Sequence, residues 1–126
     1  MEKMAMKNDK LTQDEYNALD EIKAGVKTER YSACVGRNTK RLAGLKLFSV
    51  ARNGRISLTD KGEQTLFLRR CILALRAIAD DGASPIGADV ALFLGKKSHI
   101  VPRAEGGFEI SDKGRESLAD IEQQGL

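Results

Sequence analysis

The sequence predicts a mainly α-helical α+β chain in which small β-hairpins alternate with helices, built as two tandem units that share one long central helix. Three observations carry this. The segment from Leu42 to Leu66 returns from Phe93 to Leu118, with Asp60-Lys61-Gly62 matched by Asp112-Lys113-Gly114 and Leu66 by Leu118. Self-similarity at such a period marks one supersecondary unit used twice. Asn53-Gly54 stands between two short alternating apolar runs, the strongest short-range hairpin signal. From Thr59 to about Ala79 the chain is apolar on more than one helical face, through Leu66, Phe67, Leu68, Cys71, Ile72, Leu75 and Ile78. A helix of that kind is buried on several sides.

The elements follow in order. Leu11-Thr12-Gln13-Asp14-Glu15-Tyr16 starts a helix: Thr12 and Glu15 have capping-box spacing, and Leu11 can staple onto Tyr16. Tyr16, Leu19 and Ile22 recur at helical spacing, and Gly25 is a stop. Thr28 to Cys34 reads as a short second helix ended near Gly36, and Arg37 to Leu45 as a third with Leu42 and Leu45 inward. Strands are expected at Phe48–Ala51 and Arg55–Leu58, then the long helix. Ser84-Pro85 is expected to cap a helix over Ile86–Leu94. Strands at His99–Arg103 and Gly107–Ile110 and a helix over Ser111–Gln124 complete the second unit.

The expected division is a flexible polar tail over 1–10, a first unit over 11–68 and a second over 69–126. Matching Gly44 with Gly95, Lys46 with Lys97, Val50 with Val101 and Arg52 with Arg103 gives an offset of 51 residues. One residue inserted in the second turn makes it 52 from Asp60/Asp112 onward. Ala18, Leu19 and Ile22 correspond to Ala74, Leu75 and Ile78 at an offset of 56, so the long helix closes one unit and opens the next.

At 126 residues, with 31% charged and 41% apolar side chains, the chain is long enough for one compact domain or two small units and is not compositionally disordered. Its net charge of +3 is uninformative, but the distribution is not. Residues 37–55 hold Arg37, Lys40, Arg41, Lys46, Arg52 and Arg55 without one acid, whereas 1–36 net −1 and 56–126 net −2. No apolar run suits a membrane span and the N-terminus has no signal-peptide core, so the expectation is a cytoplasmic protein without a membrane partner. Cys34 and Cys71 sit in apolar, helix-like surroundings and are expected as free thiols.

This arrangement resembles the winged helix-turn-helix superfamily, notably its small bacterial and phage regulators. The resemblance is carried by Arg55-Ile-Ser-Leu-Thr-Asp-Lys-Gly-Glu-Gln-Thr-Leu66, similar to a wing strand opening into a closing helix. Gly44-Leu45-Lys46-Leu47-Phe48 is similar to the step from recognition helix into wing. The likeness covers most of 11–68 and, in shortened form, about 69–122. It implies a helix in the major groove of double-stranded DNA and a hairpin on the adjacent backbone. Carried over, Arg37, Asn38, Lys40 and Arg41 lie on the recognition helix, where Arg and Asn suit bidentate bonds to guanine and adenine. Arg52, Arg55 and Lys46 suit phosphates. Relatives that repress transcription commonly dimerise, so a homodimer is expected if this chain is a repressor.

Bland readings compete with each of these. A basic run is often only a solvated face, but this one coincides with the helix and wing that should meet DNA. At the sequence offset the second copy has Ala88, Ala91 and Leu92 where the first has Arg37, Lys40 and Arg41. That suggests a buried helix or a protein partner through the second unit. His99, the single histidine, reads as packing or surface rather than a metal ligand. Neither nucleotide-binding glycine fingerprint occurs, and no carboxylate pair, serine or cysteine has a recognisable catalytic partner. The expectation is therefore a DNA-binding protein, a transcriptional regulator with no cofactor, metal or catalytic residue. The alternative is a protein-interaction module on the same fold.

Overall fold

The computed structural model describes residues 10–25 and 30–124. The expected N-terminal tail, apart from Lys10, lies outside the described residues, as do Thr28 and Glu29 of the expected second helix. The described chain is mainly helical, with five helices and two antiparallel hairpins. In order these are α1 (Gln13–Ala24), α2 (Ala33–Gly44), β1 (Phe48–Val50), β2 (Ile56–Leu58), α3 (Asp60–Asp80), α4 (Ala88–Lys96), β3 (Ile100–Pro102), β4 (Phe108–Ile110) and α5 (Asp112–Gln123). No helix among the described residues is long and apolar enough to cross a membrane.

Local chemistry accounts for the element ends. The Glu15 amide donates to Thr12 Oγ1 at 3.1 Å and the Thr12 amide to Glu15 Oε1 at 2.8 Å, the reciprocal box that starts α1. Gly25 ends it with φ 93°, where a side chain would be strained. Both hairpins turn through a left-handed glycine, Gly54 at φ 87° and Gly106 at φ 104°. Phe48 pairs with Leu58 and Val50 with Ile56, while Ile100 pairs with Ile110 and Pro102 with Phe108.

The expected split into helices at 28–34 and 37–45 is not what forms. Arg30 to Ser32 are not helical, and one helix runs from Ala33 through Gly36 to Gly44. Ser32 is the reason: its hydroxyl accepts the Val35 amide at 3.2 Å, and the Gly36 amide bonds the Ser32 carbonyl at 2.9 Å. A glycine inside a helix costs about 1 kcal/mol relative to alanine, which lowers stability without ending the helix. The start of α4 also differs from expectation. Gly87 caps it, and Ser84 instead donates its hydroxyl to the Ala77 carbonyl at 3.2 Å.

The chain divides between Leu66 and Phe67, within α3. In the first unit Tyr16, Ala18 and Leu19 of α1 gather with Val35 and Leu42 of α2, Leu47, Phe48 and Leu66, and Leu11 packs against the group. In the second, Cys71, Ala74, Leu75 and Ile78 of α3 gather with Val90 and Leu94 of α4, Ile100 and Ile110. Burial of each such large apolar side chain contributes roughly 1.5–3 kcal/mol.

The bonding pattern corrects the repeat register. The Lys46, Leu47, Gly54 and Thr59 amides bond the Ala43, Leu42, Ala51 and Leu47 carbonyls; Ser98, His99, Gly106 and Ser111 bond Gly95, Leu94, Arg103 and His99. Every pair is 52 residues apart, so the two turns are equally long and no residue is inserted. Lys46 (φ 67°) and Ser98 (φ 63°) even share a left-handed backbone that side chains other than glycine rarely adopt. Lys46 therefore corresponds to Ser98, not Lys97, and Arg52 to Ala104, not Arg103. The residue matches at 51 misled because buried positions and backbone pairing, not side-chain identity, set the register.

Candidate nucleic-acid interface

The cations of residues 37–55 fall into two groups. On α2, Val35 and Leu42 are buried, Gly36, Lys40 and Gly44 are exposed, and Arg37 and Arg41 lie at the edge toward α1. Arg37 forks onto Asp14 of α1, with Nε to Oδ2 at 2.9 Å and Nη2 to Oδ1 at 2.7 Å. Asn38 Nδ2 donates to the same carboxylate at 2.7 Å and to the Cys34 carbonyl at 2.8 Å. Arg41 Nε meets Glu15, whose side chain is only 6% exposed although that of Arg41 is 56% exposed.

These contacts tune the acids. The Arg37 guanidinium, with help from Asn38, holds the Asp14 carboxyl well below the usual carboxylate range. Burial would raise Glu15, but the Thr12 amide and Arg41 outweigh it and keep it ionised. Burial, and the Asp14 carboxylate beside it, push the Cys34 thiol up and away from nucleophilic reactivity. Three of the seven expected DNA contacts are therefore already engaged with α1.

The other four are not. Lys40, Lys46, Arg52 and Arg55 are exposed, and none forms an ion pair among the described residues. Lys46 stands where α2 passes into β1; its carbonyl accepts the Thr59 hydroxyl at 2.5 Å, which anchors the backbone and leaves the ammonium to solvent. Arg52 and Arg55 flank the β1–β2 turn, where the Arg55 amide donates to Asn53 Oδ1 at 3.0 Å. Discounting Arg37 and Arg41 against Asp14 and Glu15 leaves this surface with a charge of +4 from those four residues.

Sequence reasoning missed Asp14 and Glu15 as partners of the basic helix. They stand 23 and 26 residues before Arg37 and Arg41, and Glu15 was legible only as a cap. In the second unit the seven positions are Asp89, Val90, Leu92, Phe93, Ser98, Ala104 and Gly107, so not one cation of the set is kept. Lys40 is replaced by Leu92, which is 62% exposed.

Other chemistry is sparse. No group of three or more His, Cys, Asp or Glu among the described residues could hold a metal ion. His99 occupies the core position that Leu47 holds in the first unit; its Nε2 is 2.8 Å from the Ser117 hydroxyl and its Nδ1 has no hydrogen-bond partner. Burial, with Lys113 and Lys97 nearby, holds its imidazole below its ordinary pKa. Cys71 is buried, which pushes its thiol up to about 12. Comparison of the chain with models of known families, with characterised proteins and with solved structures gives no match.

Proposed function

We propose that the chain binds double-stranded DNA through its first unit and acts as a small transcriptional regulator of winged-helix type. The observation that carries this reading is the set Lys40, Lys46, Arg52 and Arg55. All four are exposed and outside any ion pair among the described residues, on α2, its exit and the following hairpin of one unit. Phosphate contact is their role. Four neutralised phosphates give a salt slope of about −3.6 in log K against log salt. Arg37, Asn38 and Arg41 reach base edges only by leaving Asp14 and Glu15, so sequence preference is weaker than three bidentate readers would supply. A cytoplasmic location and dimerisation on a two-fold operator are parts of the same proposal.

A titration with mixed-sequence duplex DNA at two salt concentrations tests it. Binding that weakens steeply with salt is the expected result, and no binding at low salt overturns the reading. A second reading, a protein-interaction module without DNA binding, draws on the second unit. There Leu92 on α4 and Val101 on β3 are exposed apolar side chains at 62% and 45%. A negative DNA titration favours it.

A further inference from the structure

The first two helices of each unit are joined by the same two-pronged ion pair with its polarity reversed. In the first unit the acid is on the leading helix: Asp14 of α1 receives Arg37 of α2. In the second the base leads: Arg70 of α3 donates through Nη1 and Nη2 to Asp89 of α4, both at 3.0 Å. The positions correspond, since Asp14 and Arg70 are 56 residues apart, as Ala18 and Ala74 are. Arg37 and Asp89 are 52 apart, as Leu42 and Leu94 are. Only some of the contacts beneath the bridges make a distinction of their own: the first unit sets the buried Glu15 against Arg41 where the second has Cys71 and Phe93, while others are interchangeable. Ala18, Leu19 and Ile22 of α1 are matched residue for residue by Ala74, Leu75 and Ile78 of α3, and Leu42 of α2 by Leu94 of α4. Duplicated cores of this kind can exchange elements, within one chain or between two copies.

We infer that the reversed pair of bridges assigns each helix to its own unit and disfavours exchange between the repeats. Were α1 to take the place of α3 against α4, Asp14 would meet Asp89. Were α3 to take the place of α1 against α2, Arg70 would meet Arg37. Each exchange turns an attractive pair into a like-charge pair, so specificity comes from the difference between right and wrong partners rather than from bridge strength. That matters because all four side chains are well exposed and each bridge adds little by itself.

The test is the full chain refolded from denaturant at low and high protein concentration, with monomer and exchanged dimer separated by size. Asp14→Arg with Arg37→Asp gives both units the same polarity and removes the part of the discrimination that the bridges supply; the exchanged dimer is expected to rise roughly tenfold over the unsubstituted chain. Adding Arg70→Asp with Asp89→Arg restores opposite polarity and is expected to return the dimer to its starting level. The four-fold variant shares the lost Asn38 and Cys34 contacts to Asp14, so it controls for local damage. Equal dimer fractions in the two variants overturn the inference, as does a rise that persists at about 1 M salt, where such charges are screened.

Discussion

The first and second units repeat one backbone frame and almost none of its surface chemistry. In both, a hydroxyl, Thr59 or Ser111, donates to the carbonyl of the left-handed residue at the helix exit and accepts the amide of a glycine three residues on. In both, that glycine lies against a backbone carbonyl: a Cβ on Gly62 would sit 2.4 Å from the Leu47 oxygen, and one on Gly114 2.2 Å from that of His99. The recurring Asp-Lys-Gly is therefore a packing device. Around this frame Lys40 becomes Leu92, Arg41 becomes Phe93, Arg52 becomes Ala104, and the Asp14–Arg37 bridge becomes Arg70–Asp89. What persists through duplication is what the backbone needs. What diverges is what faces solvent or a partner.

The comparison can be broken most directly at the shared glycines. Gly62→Ala and Gly114→Ala should each cost about 2–4 kcal/mol, because the carbonyl in the way belongs to the backbone and cannot swing aside. Urea unfolding measures this, and a near-neutral result at either site would show that the frames are not equivalent. The functional contrast comes next. Arg52→Ala with Arg55→Ala should weaken duplex DNA binding about tenfold at low salt and flatten the salt slope by roughly 2, uniformly across sequences. Substitution of Lys96 and Lys97 in the second unit should leave binding unchanged, and a comparable loss there would end the division between the units.

Arg41→Ala separates packing from binding. It removes the cation beside the buried Glu15 carboxylate and leaves it the Thr12 amide, so stability should fall by about 1 kcal/mol once the exposure of Arg41 is allowed for. Thermal melts without DNA should already show that loss. The smallest effect is expected at His99. Its folded pKa lies below the ordinary value, so as pH falls below about 6.5 the unfolded chain takes up the proton more readily than the folded one. The second unit should therefore melt at lower temperature at mildly acidic pH than at neutral pH. His99→Leu, which copies Leu47, should remove that dependence, and a pH response surviving the substitution would locate the titrating group elsewhere.

Much of this was legible along the chain because its causes are local. The Thr12–Glu15 box, Gly25, the glycine turns and the apolar faces of α3 each involve residues within a few positions of one another. The second helix was misread because Gly36 looks like a stop, whereas Ser32 supplies the stronger signal by capping α2. The repeat register was misread because four residues match at an offset of 51, whereas the hydrogen-bond pairing that sets it at 52 is invisible in sequence. The basic segment was legible as charge but not as a surface, since its counter-ions come from α1.

By itself the sequence determined the order and kind of the elements other than the helix that ends at Gly44, the duplication, and the gathering of positive charge in residues 37–55. All three depend on composition and short-range geometry. Only the tertiary structure decided which of those cations remain available. Bringing α1 against α2 sets Asp14 and Glu15 beside Arg37, Asn38 and Arg41, because burying Ala18, Leu19, Val35 and Leu42 fixes how the two helices face. Lys40, Lys46, Arg52 and Arg55 form no ion pair among the described residues. Long-range packing, not local chemistry, divides the structural charges from the exposed ones.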